Sequence, residues 1–310
     1  MERMGAGYAT ARGDQRSRSD DSGRLRIQAL DNPLLPLRPT TVNEALDLGF
    51  QLLRSRVGLL VGLVATFYLP IQILDLTLRL TVATQAERAN SAAVVFGVAG
   101  VGEWSGWMFL PFGLQRVALS MLGVSCGFLA MAMIRGETPS YRTVLAFTLK
   151  RCWMAVVIVV AVAALMVFGT FLAMLGAVLF GSWTFVASVI AGAEQRGPLS
   201  SVGRSISLSR ANGGQSLMMF VGIIVVTVLV RTITYAGPAL LLTYLGMPEG
   251  LQLLVGQLSA LLLLIAPLLT ACLATTSYLS MRTRSEGLDL QLRMGNAVGA
   301  RNVGAVDVGP

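Results

Sequence analysis

The side chains best suited to catalysis are scarce in this chain, and their spacing forms no catalytic or metal-binding pattern. Its 310 residues include no histidine, the most frequent general base and metal ligand. Cys126, Cys152 and Cys272 lie within apolar segments without CxxC spacing, so we interpret them as small hydrophobic side chains. No phosphate-binding loop, nucleophile elbow or zinc-protease motif occurs in the sequence. We therefore predict a protein that is not an enzyme and that uses no metal and no cofactor.

Four residues in or beside apolar segments are candidates for a pore or hinge. Asp75 and Arg79 lie one helical turn apart at the end of the first apolar segment, and charged groups inside a membrane usually serve a function. Pro70 and Pro267 interrupt the first and last segments, and broken helices often mark binding sites in transporters. Interfacial anchoring of the charges and kinks required only by packing remain the alternatives.

Basic and acidic residues also cluster in two polar motifs, which are candidates for contact with a partner or a lipid headgroup. Arg282 and Glu286 have the spacing of an ion pair on one helical face, and Gly287 has the character of a residue that ends a helix. Simple anchoring and capping of the helix is the alternative interpretation. The candidate residues are Arg204, Arg210, Arg282, Arg284, Glu286 and Asp289.

The composition indicates a membrane protein. Hydrophobic residues make up 54% of the chain and charged residues 13%, whereas soluble domains carry about 25% charged residues. With a mean hydropathy of +0.69, the apolar surface exceeds what one globular core can bury. We therefore expect much of it to face lipid.

The apolar segments predict an all-α, polytopic transmembrane bundle of six spans. A hydrocarbon core about 30 Å thick requires about 20 apolar residues in a helix. The 42 uncharged residues of Cys152–Ala193 suffice for two spans with a turn near Gly169–Gly176. Two further stretches, 92–116 and 232–248, are either outer-face segments or extensions of spans. The uncharged segments are Val57–Leu74, Val117–Ile134, Cys152–Ala193, Asn212–Val230 and Leu251–Met281.

The distribution of positive charge predicts the orientation. Six spans with a cytoplasmic N-terminus place 20 of the 24 basic residues inside and leave Arg79, Arg88, Arg116 and Arg231 outside, as the positive-inside rule favours. We expect a bacterial cytoplasmic (inner) membrane with both termini in the cytoplasm. We then expect the excess positive charge, +8 net, to contact anionic lipid headgroups. This explanation of the charge disfavours nucleic acid as a partner.

Three similar segments precede spans and suggest an internal repeat. They begin at Pro39, Pro139 and Pro198, and each ends in basic residues. Thr41 and Glu44 have the spacing of a capping box, and we predict short cytoplasmic interfacial amphipathic helices. Either three units of helix plus hairpin form a collar around a pseudo-threefold bundle, or the segments are unrelated basic flanks. The domain prediction is a disordered tail at 1–38, a membrane domain at 39–294 and a second disordered tail at 295–310.

Four sequence pieces together resemble the bacterial glycerophosphoryl diester phosphodiesterase membrane-domain family, over about residues 37–294. The resemblance implies the membrane fold alone, because the phosphodiesterase barrel of fused members is absent and its chemistry relies on histidine. The closing Arg-x-Arg-x-Glu-Gly-x-Asp motif is the most specific piece. The pieces are Leu37-Arg38-Pro39; Arg135-Gly136-Glu137 with Pro139-Ser140; Gly192-Ala193-Glu194 with Arg204 to Arg210; and Tyr278 with Arg282 to Asp289.

The expected function is that of a scaffold or accessory subunit of a membrane assembly, which docks an unidentified protein partner through the basic collar. The alternative is a permease-like transporter of a small solute or lipid. A closed apolar core favours the scaffold, whereas a polar cavity between the spans of Pro70 and Pro267 favours the transporter.

Overall fold

The computed structural model describes residues 40–82, 109–171, 174–236 and 264–287, with single residues and short pieces between 238 and 262. All regular elements in these residues are helical. The predicted tails, 1–38 and 295–310, lie outside the described residues. The helices are α1 (Val42–Ser55), α2 (Val57–Thr81), α3 (Phe109–Ile134), α4 (Tyr141–Lys150), α5 (Cys152–Phe171), α6 (Met174–Thr184), α7 (Ala187–Ala193), α8 (Pro198–Ala211), α9 (Gly213–Arg231, continued by a π-helical turn at Thr232–Ala236) and α10 (Ile265–Glu286).

Five helical segments in the described residues are long and apolar enough to cross a membrane, as expected of a multi-pass integral membrane protein. They overlap the first five predicted spans, and the turn predicted near Gly169–Gly176 falls between the end of α5 and the start of α6. Of the predicted sixth span, Leu251–Met281, the structure describes chiefly the part from residue 264 onward, which lies in α10. The five segments are Val57–Leu78, Phe109–Ile134, Cys152–Phe171, Gly176–Ala193 and Gly213–Thr234.

Each of the three repeated segments contains a short helix with a defined start. The predicted capping box of α1 is confirmed, with Thr41 and Glu44 each bonding to the other's backbone N–H. The Ser140 hydroxyl caps α4 by accepting the N–H of Thr143, and Pro198 occupies the first position of α8, where its missing N–H costs nothing. The last turns carry Arg54, Lys150 and Arg210, respectively, which complement the helix dipole.

The long helices divide into an inner and an outer set. In α3, the most apolar window has 78% of its residues buried, whereas the windows of α5 and α9 have 17% and 12%. The helices that directly follow the short helices, namely α2, α5 and α9, expose large apolar side chains along their length. We call these the outgoing helices, and we call α3, α6–α7 and α10 the return helices. The return helices contribute most of the buried core.

Glycines allow the return helices α3 and α7 to pack in direct contact. A Cβ at Gly123 would collide with Ser188, one at Gly127 with the Val189 carbonyl, and one at Gly192 with the Val124 carbonyl. Gly123 and Gly127 form a GxxxG pair, a pattern that permits close helix approach in membranes. In this chain the pair serves packing within one molecule.

The first short helix, α1, packs lengthwise along the last return helix, α10. The Thr40 hydroxyl donates to the Ser280 hydroxyl at 2.8 Å, and the Thr276 hydroxyl donates to the Ala45 carbonyl at 2.8 Å. Gly49 lies against Leu273. Because residue numbers rise along α1 while they fall along α10, the two helices are antiparallel, and the N-terminal end of the described chain lies beside its C-terminal end.

The other two short helices, α4 and α8, each pack on the return helix that comes before them in the chain. In α4, the Thr148 hydroxyl lies 2.8 Å from that of Ser125 in α3, and the Phe147 ring stacks on Phe128 with centroids 4.2 Å apart. In α8, the Ser205 hydroxyl donates to the backbone carbonyl of Trp183 in α6 at 2.7 Å. Each short helix therefore has one buried face against the bundle.

Candidate functional site

A buried carboxylate surrounded by arginines is the densest group of charges in the described residues. Glu194 follows the last residue of α7, and its side chain is only 7% exposed. Its oxygens lie 2.7 Å from Arg196 Nε, 3.6 Å from Arg204 Nε and 3.9 Å from Arg282 Nη1. Three positive groups therefore offset the cost of burying this negative charge.

A tyrosine and a second carboxylate extend the group. The Tyr278 hydroxyl donates to Glu194 Oε1 at 3.0 Å and accepts from Arg282 Nη1 at 2.8 Å. Arg282 Nε donates to Glu286 Oε2 at 3.3 Å, and Arg204 Nη2 donates to Glu286 Oε1. We call Glu194, Arg196, Arg204, Tyr278, Arg282 and Glu286 the Glu194 cluster.

Local sequence explains how three segments reach this point. Tyr278, Arg282 and Glu286 are spaced four residues apart on α10 and so share one helical face. The chain turns between α7 and α8 at Gln195, which has a φ of 54°. Arg151, the residue after α4, stabilises this turn. Its guanidinium donates to the Ala191 carbonyl at 3.4 Å and to Gln195 Oε1 at 3.3 Å.

The Glu194 cluster is an ion-pair network that connects helices. Its three guanidinium groups and two carboxylates carry a formal charge of +1. Glu286 accepts hydrogen bonds from Arg204 and Arg282, whereas Glu194 contacts its arginines as ion pairs, and its Oε2 accepts no hydrogen bond from the described residues. Charge-assisted hydrogen bonds such as those to Glu286 are about twice as strong as neutral ones. The cluster joins α7, α8 and α10 at one end of the bundle. The described residues contain no group of three His, Cys, Asp or Glu side chains able to hold a metal.

The structure separates the six residues that the sequence grouped as partner or headgroup contacts. Arg204, Arg282 and Glu286 belong to the Glu194 cluster and bond to one another. The predicted Arg282–Glu286 pair is confirmed at 3.3 Å, as is the end of α10 at Gly287, which has a φ of 57°. Asp289 lies outside the described residues.

Arg210 and Arg284 stand apart from the Glu194 cluster, and both are exposed. The Arg210 guanidinium lies over the Trp183 ring, 4.7 Å from its centroid. Arg284 Nη2 donates to the Thr40 carbonyl at 3.2 Å, and that carbonyl also accepts from Gln215 Nε2 at 3.2 Å. This second junction ties the start of α1 to α9 and α10.

The four candidate pore or hinge residues lie on two helices, α2 and α10. Pro70 lies on an exposed face inside the unbroken helix α2. Pro267 is the third residue of α10 as described, and a proline in the first turn breaks no hydrogen bond of that helix. Asp75 is buried, and the side chain of Arg79 lies outside what the structure describes. A role for these residues in a pore or hinge stays a prediction.

The fourth span contains a break that sequence inspection missed. Helix α6 ends at Thr184 and α7 begins at Ala187, without a proline between them. The backbone carbonyls before the break are satisfied by hydroxyls, because Ser216 donates to Ser182 at 2.8 Å and Ser205 to Trp183 at 2.7 Å. No proline marked this break in the sequence.

Glu194 was also absent from the candidate site residues, although it stands in one of the four pieces that carry the family resemblance. A usable signal existed, because Glu194 is the first charged residue after the 42-residue uncharged segment that starts at Cys152. A charge at the end of a span is usually solvated, so only the tertiary contacts identify this one as buried.

No protein-family model matches this chain, and no curated protein and no solved structure matches it either. The resemblance to the glycerophosphoryl diester phosphodiesterase membrane-domain family therefore stays a prediction based on its short motifs.

Proposed function

We propose that this protein is a non-enzymatic integral membrane protein that acts as a scaffold or accessory subunit of a membrane assembly. One observation carries the proposal, namely the direct packing of the return helices at the centre of the bundle. Gly127 and Gly192 bring backbones so close that no Cβ fits between them, and a Cβ at Gly123 would collide with the Ser188 side chain. A passage for solute would need space that this contact fills.

The core around these glycines supports the same proposal. Leu122, Leu129 and Ile190 are almost fully buried in it, and Cys126 and Cys272 are buried with them as free thiols. Such a closed, apolar centre is suited to holding a fixed shape. We therefore place the function on the exposed surface, where a partner can bind.

The contact between the chain ends supports a topology of six spans. Arg284 bonds to the Thr40 carbonyl, so the two ends of the described chain lie side by side at one end of the bundle. Ends on one side of a membrane require an even number of crossings. Since five candidate spans lie between these residues, the predicted span at 251–281 completes an even count, and the charge distribution favours a cytoplasmic location for both ends.

The structure changes which basic residues we expect to dock a protein partner. Arg204 and Arg282 are bonded inside the Glu194 cluster, so their replacement would damage the fold. Arg210 and Arg284 are exposed, and they flank the ends of α8 and α10. We assign the docking of the partner to these two.

The test is affinity purification of the tagged protein in native-lipid nanodiscs, with mass spectrometry of the proteins retained. We expect a stoichiometric partner that the Arg210→Gln variant and the Arg210→Gln, Arg284→Gln double variant both lose, and Arg210→Gln alone leaves the bond between Arg284 and the Thr40 carbonyl in place. The Arg135→Gln variant is the control, because Arg135 is exposed and lies 4.0 Å from Glu137 on a different loop. Purification without a stoichiometric partner, or equal retention by the docking variant, would contradict the proposal.

The broken fourth span favours a permease-like transporter as the second candidate, because discontinuous helices often form transport sites. The carbonyls at this break are already occupied by Ser205 and Ser216, which is why we rank this candidate second. Flux of a solute or a fluorescent lipid across proteoliposomes, above that of protein-free liposomes, would support the transporter and contradict the scaffold.

A further inference from the structure

One exposed stripe on the short helix α4 is followed along the chain by another on the outgoing helix α5, and we call the two together the stripe. Within each helix its members recur at intervals of about three or four residues and so share one face of that helix. The helices are separated only by the turn at Arg151. The exposed residues of the stripe are Arg142, Ala146, Leu149, Lys150, Trp153, Val156 and Val160.

The chemistry of this stripe changes in a fixed order along the chain. Arg142 and Lys150 supply positive charge, Trp153 follows them, and the aliphatic Val156 and Val160 come last. The Trp153 and Val160 side chains are 55% and 62% exposed. Charge, then tryptophan, then aliphatic side chains is the order in which a helix meets headgroups, the interface and hydrocarbon.

The two basic side chains are free to bind an anion. Neither Arg142 nor Lys150 forms an ion pair or hydrogen bond in the described part of the chain. Helix α4 contains no acidic residue, so nothing on it competes for these charges. An anionic lipid matches both parts of this surface, because its phosphate meets the positive charge and its acyl chains meet the exposed apolar residues that follow.

We propose that the outer face of α4 and the start of α5 bind the headgroup of an anionic phospholipid, with Arg142 and Lys150 at its phosphate and Trp153 at the interface. This inference rests on the proposed function, in which this end of α5 faces the cytoplasmic leaflet. It adds a specific lipid contact, located away from the protein-docking residues Arg210 and Arg284.

Native mass spectrometry of the protein from nanodiscs of equal phosphatidylglycerol and phosphatidylcholine measures which lipid stays bound. We expect wild type to retain phosphatidylglycerol preferentially. Each basic residue near an anionic surface contributes about fivefold to binding, so Arg142→Gln with Lys150→Gln should lower the ratio of retained phosphatidylglycerol to phosphatidylcholine by roughly 25-fold. The Arg142→Lys, Lys150→Arg variant should keep it.

The Arg135→Gln variant is the control, because it removes an exposed positive charge that is not followed by an apolar stripe. An unchanged lipid ratio in the glutamine double variant, or an equal fall in the Arg135 control, would overturn the lipid site. Partner retention is measured on the same samples. If wild type shows no lipid preference but retains its partner, only the lipid site is contradicted. If wild type shows the lipid preference but retains no partner, only the scaffold function is contradicted.

Discussion

Individual charged residues in this protein have roles that depend on their burial. Glu194 and Glu137 are both glutamates beside an arginine, yet the Glu194 side chain is 7% exposed and that of Glu137 is 60% exposed. An exposed pair contributes little because water screens it. A buried carboxylate that holds several arginines contributes more, because its loss leaves those arginines uncompensated.

Replacing Glu194 by Gln should destabilise the protein by about 3 kcal/mol, since it leaves Arg196, Arg204 and Arg282 without their shared carboxylate. The measurement is thermal unfolding in detergent, followed by circular dichroism and size-exclusion chromatography. Glu137→Gln should unfold within experimental error of wild type. Equal unfolding temperatures for wild type and Glu194→Gln would show that the Glu194 cluster does not hold the three helices together.

Among the elements, glycine positions on one helix differ sharply in their environment. On α3, a Cβ at Gly127 would collide with the backbone of α7, whereas a Cβ at Gly113 would meet nothing within 4 Å. Backbone atoms cannot rotate away as a side chain can. Packing of α3 against α7 therefore depends on Gly127 and not on Gly113.

Gly127→Ala should destabilise the bundle by about 1–3 kcal/mol, the usual cost of an added methyl group in a tightly packed core. Gly113→Ala should leave stability unchanged or raise it by up to about 1 kcal/mol, because alanine is the better helix former. Thermal unfolding of both variants tests this difference. A Gly127→Ala variant as stable as Gly113→Ala would mean that the α3–α7 contact is looser than described, which would weaken the argument for a closed core.

On the scale of the molecule, the described helices form a closed series, because the first of them, α1, packs on the last, α10. The short helices α1, α4 and α8 pack on α10, α3 and α6–α7, respectively. If each short helix and its following hairpin form a unit, each unit begins by packing on the unit before it, and α1 closes the series. This pattern supports a pseudo-threefold arrangement, which stays an interpretation.

The proposed topology of six spans places both tails on the same side of the membrane, and the positive-inside rule predicts that this side is the cytoplasm. Green fluorescent protein fused before residue 1 or after residue 310 should fluoresce, and alkaline phosphatase at either end should be inactive. Alkaline phosphatase inserted within 92–102 should be active, because this stretch is predicted to lie on the outer face. An active phosphatase at one end only would require an odd number of crossings and would contradict the topology.

Much of the local structure could be read directly from residue types. The capping box of Thr41 and Glu44, the Arg282–Glu286 pair and the end of α10 at Gly287 each involve residues within four positions of one another. Backbone geometry places such residues together whatever the rest of the chain does. The approximate positions of five spans followed equally well from uninterrupted apolar composition.

Contacts between distant segments were decided only by the tertiary structure. Arg204 and Glu286 lie 82 residues apart in the chain, and their sequence pattern fitted a docking surface as well as an internal bond. The break in the fourth span likewise depends on Ser205 and Ser216, whose hydroxyls satisfy its carbonyls from neighbouring elements. The sequence by itself determined a helical membrane protein, because composition and periodicity can be read within one segment. A long apolar segment is stable in lipid only as a helix or as part of a closed barrel. Which arginines are internal and which face a partner required the fold, because burial depends on segments that meet only when the chain is packed.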